Sequence, residues 1–230
     1  MALYAIADLH LSLGKSGKPM DIFRGWTDYV QKIENNWKRI VTNDDTVVIA
    51  GDISWAMKIN DCTEDFNFIN RLPGNKIILK GNHDYWWTTK SKMDRYLADN
   101  GLDTISVLFN NSYQCKEYSV CGTRGWALDA SGEEDIKILS REVGRLRTSI
   151  GSALKYDAEP VVFMHYPPVY GELECSEIVS VLTEYGIKKC FYGHLHGQAA
   201  KRFAVTGMYK NIDFSLISCD NTGFSPVLVR

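Results

Sequence analysis

Five short apolar runs in this sequence each end on an aspartate, histidine or asparagine, and that repeated ending constrains the fold more than any other feature. Leu3-Tyr4-Ala5-Ile6-Ala7 runs into Asp8-Leu9-His10, and Thr46-Val47-Val48-Ile49-Ala50 into Gly51-Asp52. Lys76-Ile77-Ile78-Leu79 leads to Gly81-Asn82-His83-Asp84, Val161-Val162-Phe163-Met164 to His165, and Lys189-Cys190-Phe191-Tyr192 to Gly193-His194-Leu195-His196. Apolar runs of this length without alternation fit strands covered on both faces.

Between the runs the spacing turns helical. Trp26, Tyr29, Val30, Ile33, Trp37, Ile40 and Val41 step by three and four, as do Ile136, Leu139, Val143, Leu146, Ile150 and Leu154, and each set predicts an amphipathic helix. Shorter helices are expected over 63–71, about 88–98 and near 178–185. A β-meander is expected between Ile105 and Gly122. The last 30 residues read as strands near 203–206, 212–218 and 227–229, with no helix. Strands alternating with helices and closing in β-structure predict a layered α/β domain with mixed sheets. At 230 residues and 45% hydrophobic content, one core over 1–230 is expected.

With 26 Lys and Arg against 28 Asp and Glu, the net charge is -2, and nothing draws a polyanion from a distance. Strong nucleic-acid binding is therefore not expected. Six cysteines without a C-x2-C pair, together with an opening stretch that has no basic region and too short an apolar run for a leader or membrane span, predict free thiols in a cytoplasmic protein with no membrane partner. No pattern isolates an oligomer interface.

All five histidines (His10, His83, His165, His194 and His196) lie just beyond apolar runs, as do Asp8, Asp52 and Asn82. In open α/β sheets the crevice beyond the carboxyl ends of the strands is where ligands bind, so these residues converge on one edge. Their nitrogen and oxygen donors suit Mn, Fe, Zn or Ni. A set of this size exceeds one tetrahedral ion and suits two. Two ions about 3.5 to 4 Å apart would clamp the attacking and leaving oxygens of a phosphoryl group and lower the pKa of bound water to about 7.

The ordered set Asp8-x-His10, Gly51-Asp52, Gly81-Asn82-His83-Asp84, His165 and Gly193-His194-x-His196 resembles the five motifs of the calcineurin-like metallophosphoesterase superfamily. The resemblance implies a four-layer αββα sandwich, two mixed β-sheets flanked by helices, with a dinuclear centre at their edge. It implies that Asp8, His10 and His196 hold one metal, that Asn82, His165 and His194 hold the other, and that Asp52 bridges. His83 would contact the phosphate and protonate the leaving oxygen as general acid. Asp84 either fixes the loop or takes a direct chemical role.

Departures from the family narrow the reading. Ile53-Ser54-Trp55-Ala56 follows the second motif where protein serine/threonine phosphatases carry an aspartate and an arginine, so Trp55 stands where the partner of the motif-three histidine is often found. His10 separates the chain from purple acid phosphatases. As a whole the chain resembles the compact bacterial proteins described as predicted phosphohydrolases. The function implied is a metal-dependent phosphoesterase acting on a small phosphodiester or phosphomonoester, with Mn as the expected metal. The alternatives are a nuclease on single-stranded nucleic acid and a non-catalytic scaffold.

Around the motifs, Tyr85-Trp86-Trp87 either supplies a stacking wall for substrate, with Trp86 the candidate, or packs the following helix on the sheet. Arg124, in the glycine-flanked Gly122-Thr123-Arg124-Gly125, either grips a phosphate oxygen or is a surface arginine. Tyr166-Pro167-Pro168 stiffens the loop after His165. A substrate-selecting, cap-like insertion is expected within about 101–157.

Overall fold

The computed structural model describes residues 1–14, 16–128 and 132–230. One sheet contains β1 (Leu3–Ile6), β2 (Thr46–Ala50), β3 (Asn75–Leu79) and β4 (Ile105–Val107), parallel to one another. The other contains β5 (Tyr113–Cys115), β6 (Tyr118–Thr123), β7 (Glu159–Met164), β10 (Lys189–Tyr192), β11 (Gly207–Tyr209) and β12 (Ile212–Leu216), with a two-strand hairpin of β8 (Val169–Tyr170) and β9 (Leu173–Glu174) set apart. β13 (Val227–Leu228) pairs antiparallel with β1, giving a first sheet ordered β13-β1-β2-β3-β4. The second runs β11-β12-β10-β7-β6-β5, parallel through its centre with antiparallel strands at both edges. Both sheets are therefore mixed.

The unalternated apolar runs follow from the two-residue period of a strand that has an apolar layer on each side. Leu3 and Ala5, Val48 and Ala50, and Ile77 and Leu79 face the second sheet, where they meet Val120, Val161, Phe163 and Phe191. The intervening Ile6, Val47, Ile49 and Ile78 face the other way. They pack on α1 (Tyr29–Ile40), α2 (Thr63–Arg71) and α3 (Lys90–Asp99) through Ile33, Trp37, Phe66, Ile69, Met93 and Leu97. On the far side of the second sheet, Val162, Met164, Cys190, Tyr192 and Phe214 pack on α4 (Glu133–Ala153) and α5 (Ser176–Glu184). Three apolar interfaces separate four layers, which is the αββα sandwich the motifs implied. Each fully buried large aliphatic or aromatic side chain in them contributes about 1.5–3 kcal/mol.

The helices fall close to their expected spans. Trp37 illustrates why α1 is fixed: its ring is fully buried and its indole N–H donates to the Pro73 carbonyl at 2.9 Å, tying the helix to the turn before β3. Ile136 and Leu154, counted in the apolar stripe of α4, are exposed, and the buried face is Leu146, Ile150 and Ala153. Near the end of the chain the expectation is off in two places. A short helix α6 (Gly197–Lys201) starts straight after His196, and the run at 203–206 makes only a single bridge from Ala204 to Tyr170, the strand being β11 just beyond it.

The stretch 101–157, where a cap is expected, supplies β4 to the first sheet, β5 and β6 to the second, and α4 to the outer layer. Residues 129–131 of that stretch lie outside the described residues. All six cysteines are buried free thiols. Among the described residues no helix is long and apolar enough to cross a membrane.

Candidate metal centre

The carboxyl ends of β1, β2 and β3 in one sheet and of β7 and β10 in the other come together at one edge of the sandwich. Backbone hydrogen bonds join the sheets there: the Ala7 N–H donates to the Ile217 carbonyl at 2.8 Å, and the Cys219 N–H to the Ala7 carbonyl at 2.9 Å. The Asp8 N–H donates to Gly51, and the Gly193 N–H to His165. The loops that follow the five strands are thus held against one another by main chain.

Their side chains form two sets. In one, His10 Nε2 and His196 Nε2 stand 3.1 Å apart, with Asp8 Oδ1 3.3 Å from His196 Nε2. In the other, Asn82 Oδ1 lies 2.6 Å from His165 Nε2 and 2.9 Å from His194 Nδ1. Asp52 stands between them. Its Oδ2 is 3.7 Å from His10 Nε2 and its Oδ1 is 3.5 Å from His165 Nε2, so one carboxylate offers an oxygen to each set. Asp8, Asp52 and His165 are also mutually close enough to share an ion.

The approach is close enough to dictate small residues and unusual backbone. Gly51 has φ +88°, and a Cβ on it would meet Gly81 and His165 Nδ1 at 2.7 Å; one on Gly81 would fall 2.1 Å from Asp52 Oδ1. Asp8, His10, Asp52 and His194 all have positive φ, between 45° and 73°. Each such non-glycine residue stores on the order of 1–3 kcal/mol, somewhat less for aspartate, and clusters of this kind mark functional sites.

The ring nitrogens facing away from the cluster are held by partners that fix where the lone pairs point. His165 Nδ1 lies 3.1 Å from the Ala50 carbonyl, which accepts its proton and leaves Nε2 toward Asn82. His196 Nδ1 is 3.1 Å from Asp220 Oδ1, and Asp220 is itself held by the Gly197 N–H and Lys201 Nζ. Sequence reasoning missed Asp220; it lies in a loop after β12 and belongs to no motif. A carboxylate behind a histidine in this way aligns the ring and raises its basicity, and losing one typically weakens metal affinity 10- to 100-fold. Asp220→Asn is expected to weaken metal binding by about that factor, measured by competition with a chelator. Unchanged affinity would remove Asp220 from the centre.

Electrostatics match a site built for cations. Burial opposes a charge on His196, but Asp8 and Asp220 outweigh it and push the imidazole up to about 10. Burial and the neighbouring Asp8 push Asp52 up to about 8. Burial pulls His10 down to about 3, and burial with His165 pulls His194 down to about 4. At pH 7 the metal-free centre therefore holds protons on Asp52 and His196 and presents bare nitrogens on His10 and His194. Metal must displace the held protons, so its apparent affinity rises with pH while they remain bound. Chelator competition is expected to tighten by about tenfold or more per pH unit between about pH 6 and 8, and to go on tightening with a smaller slope up to about pH 10, where the His196 proton is lost. A flat profile would contradict this proton inventory.

Asp84 is fully buried, and its carboxylate accepts from the N–H groups of Asp52 (2.9 Å), Gly81 (2.7 Å), Ile53 (2.8 Å) and Ser54 (3.3 Å). Burial and Asp52 push it up to about 7, against four donors that favour the charged form. It ties the loop after β2 to the loop after β3 and so sets Asp52 beside Asn82.

His83 lies at the rim, half-exposed, with Nε2 4.0 Å from Asp52 Oδ2 and its N–H donating to Asp52 Oδ1 at 2.8 Å. Among the described residues no carboxylate holds its Nδ1. Trp55 takes that place, its ring 4.5 Å from His83 and stacked 4.8 Å from His10. A cavity of about 430 Å³ opens here, lined by His10, Trp26, Trp55, His83 and His196 with Met20 and Phe23. On the opposite flank, His194, Tyr166, Tyr170 and Leu173 line another of about 320 Å³.

The stacking wall expected of Trp86 is not formed by that residue. Trp86 is buried with the helix-side core, edge-on to Phe66 at 5.1 Å, and its indole N–H donates to the Ser54 carbonyl. Tyr85 is exposed beside His83, and Trp87 lines a separate cavity that also contains Arg124. The Arg124 carbonyl accepts from the N–H groups of His165 and Tyr166, while its guanidinium carbon lies over the Trp126 ring, 4.7 Å from its centre.

The donor set suits divalent metal chemically: nitrogen and oxygen ligands, three or more per set, with a shared carboxylate. The family model described as calcineurin-like phosphoesterase matches residues 1–198. Among curated proteins, none matches the sequence significantly. Among solved structures, the chain is similar to a protein of unknown function from Aquifex aeolicus (17% identity, TM-score 0.53) and to a phosphopantetheinyl hydrolase from Mycobacterium tuberculosis (14% identity, TM-score 0.54). In both cases 99% of this chain and 95% of the other are covered. A Thermus thermophilus protein aligns with TM-score 0.55 at 11% identity, over 85% of this chain and 82% of that one. At such identities the likeness speaks for the fold, whereas the family match spans the five strand-end motifs and the two sets of donors they bring together: this chain belongs to the calcineurin-like phosphoesterase family.

Proposed function

We propose that this protein is a dinuclear metal-dependent phosphoesterase that hydrolyses a small phosphodiester or phosphomonoester. The observation that carries the reading is Asp52, with one carboxylate oxygen toward His10 and the other toward His165. Asp8, His10 and His196 would hold one ion, Asn82, His165 and His194 the other, and Asp52 both; Mn is the expected metal and the cytoplasm the expected compartment. When bound, such a pair supplies a hydroxide nucleophile at neutral pH and neutralises charge on the phosphoryl oxygens.

The remaining steps belong to the chain's own residues. Asn82 contributes an oxygen without adding negative charge, which leaves Asp8 and Asp52 as the anions of the centre. His83 donates a proton to the departing oxygen. Burial and His165 pull its pKa below the usual imidazole value, so it is neutral at rest at pH 7. A phosphate arriving beside it favours the protonated form and supplies the acid when substrate is bound. Trp55 packs on the ring at a tilt of 49°, 4.5 Å between centroids, where a carboxylate would hold it by hydrogen bond, and so restrains the imidazole beside the centre.

The two flanking cavities, about 430 and 320 Å³, have the size of small-ligand sites. With a net charge of -2, that size favours a small ester over a nucleic-acid strand. Hydrolysis of bis-p-nitrophenyl phosphate and p-nitrophenyl phosphate with added Mn, with Asp52→Asn as control, tests the proposal. Metal-dependent turnover is expected for at least one ester, and the preferred one identifies the class. Absence of turnover of both would overturn the phosphoesterase reading.

A further inference from the structure

Beside the metal centre lies a cavity of about 400 Å³ that the proposed chemistry does not use. It is bounded by the ends of β3, β4 and β6 and by α4, with Lys80, Arg124, Arg145 and Glu142 in its wall and Thr88, Thr89 and Asn110 around them. Lys80 is two residues before Asn82, and Arg124 carries the carbonyl that holds the His165 and Tyr166 backbone. The cavity thus shares its supporting chain with the Asn82–His165 side of the centre.

Three cations and one anion line it. Glu142 is buried and committed: it accepts hydrogen bonds from the Thr123 hydroxyl and from Arg145. Arg124 is near it, with Nη2 3.7 Å from Oε1, but its guanidinium makes no hydrogen bond among the described residues, and its buried Nε has no acceptor. Lys80 is half-buried and has neither a hydrogen bond nor an ion pair among the described residues. Arg124 and Arg145 share the one carboxylate of Glu142 and Lys80 has no partner among the described residues; uncompensated charge removed from water is costly, so the surplus of positive charge facing this cavity implies an anion that offsets it. Both arginines lie over aromatic rings, Arg124 over Trp126 at 4.7 Å and Arg145 over Phe109 at 5.0 Å, contacts that restrain them and lower the entropy lost when they grip an oxyanion. Lys80 supplies the point charge and the threonine hydroxyls supply further donors.

We propose that this cavity is a second phosphate-binding site, in which Lys80 and Arg124 hold a second phosphate of the substrate while the first lies at the metal centre. The substrate class is then a bisphosphate or a phosphodiester carrying a further phosphate. The substrate half of this inference rests on the phosphoesterase reading; the anion-binding half does not.

The test has two arms. Calorimetric titration of inorganic pyrophosphate into the full chain, kept metal-free by chelator, is expected to give saturable binding that weakens as salt rises. Lys80→Met and Arg124→Gln are expected to weaken it at least about tenfold, and Lys80→Arg to restore it to within about threefold, a rescue that a purely structural defect would not allow. Absence of binding, or affinity unchanged in both variants, overturns the site. In the second arm, a ladder of α,ω-alkanediol bisphosphates is compared with the matching alkyl monophosphates on the Mn-loaded enzyme. One chain length is expected to show kcat/KM at least about tenfold above its monophosphate, with the ratio collapsing in Lys80→Met. If pyrophosphate binds through Lys80 but no bisphosphate is preferred, the site takes free phosphate and the substrate half is overturned. If no ester is hydrolysed at all, the phosphoesterase reading fails, and the calorimetry alone decides the cavity.

Discussion

Asp52→Asn is expected to reduce metal-dependent ester hydrolysis by on the order of 10³-fold or more, and to lower bound metal from two ions per chain at saturation to one or none. The size follows from position. One carboxylate offers an oxygen to each donor set, so a neutral amide removes an anion that both ions would share. A metal pair contributes several kcal/mol to stabilising charge in a phosphoryl transition state, and each 1.36 kcal/mol corresponds to about tenfold in rate. The fold should survive. The amide oxygen can still accept from the His83 N–H, as Asp52 Oδ1 does at 2.8 Å, and the side chain it replaces is one whose charge burial already disfavours. Thermal unfolding of the metal-free variant is therefore expected within a few degrees of the parent. Metal content by mass spectrometry, measured beside the kinetics, decides the matter: a variant that keeps two ions and a tenth of the activity would refute the bridging role.

His83→Ala is expected to give a loss that depends on the leaving group. For alkyl phosphates, whose departing alkoxide needs a proton, kcat/KM should fall by about 10²- to 10⁴-fold, the usual worth of a positioned general acid. For p-nitrophenyl esters, whose leaving group departs as a stable anion, the fall should be much smaller. Metal content should remain at two, because no nitrogen of His83 lies within a ligand set; Nε2 is 4.0 Å from the nearest Asp52 oxygen. An equal loss on both kinds of ester would mean that His83 only binds the phosphate. Trp55→Ala extends the same logic, since it leaves the imidazole in place but removes the ring packed on it.

The features legible in the sequence were those that a strand writes into its own residues. Runs such as Thr46–Ala50 are apolar at every position because alternate side chains enter different interfaces, and a donor that follows such a run emerges at the sheet edge. What the sequence hid depends on which way a side chain turns after the strand has ended. Trp86 and Trp87 are neighbours, yet one enters the core under α2 and the other lines a cavity, a difference set by the turn that Asp84 pins. Asp220 was invisible for another reason: its partner His196 is 24 residues away, and no local pattern marks a carboxylate that acts only through a distant ring. The short α6 was missed because it begins at Gly197 and buries nothing, so it carries no apolar period.

The two donor sets draw on residues from Asp8 to His196, and Asp220 extends the span further. Contacts between His10 and His196 bridge 186 positions, and loop closure over such a distance is entropically late in folding. A growing chain displays Asp8 and His10 long before His196 has been made, so these candidate ligands exist for most of synthesis without a site. Metal capture must accordingly follow assembly of both sheets. The ions would then stabilise a finished sandwich by mass action and leave the rate at which it forms unchanged.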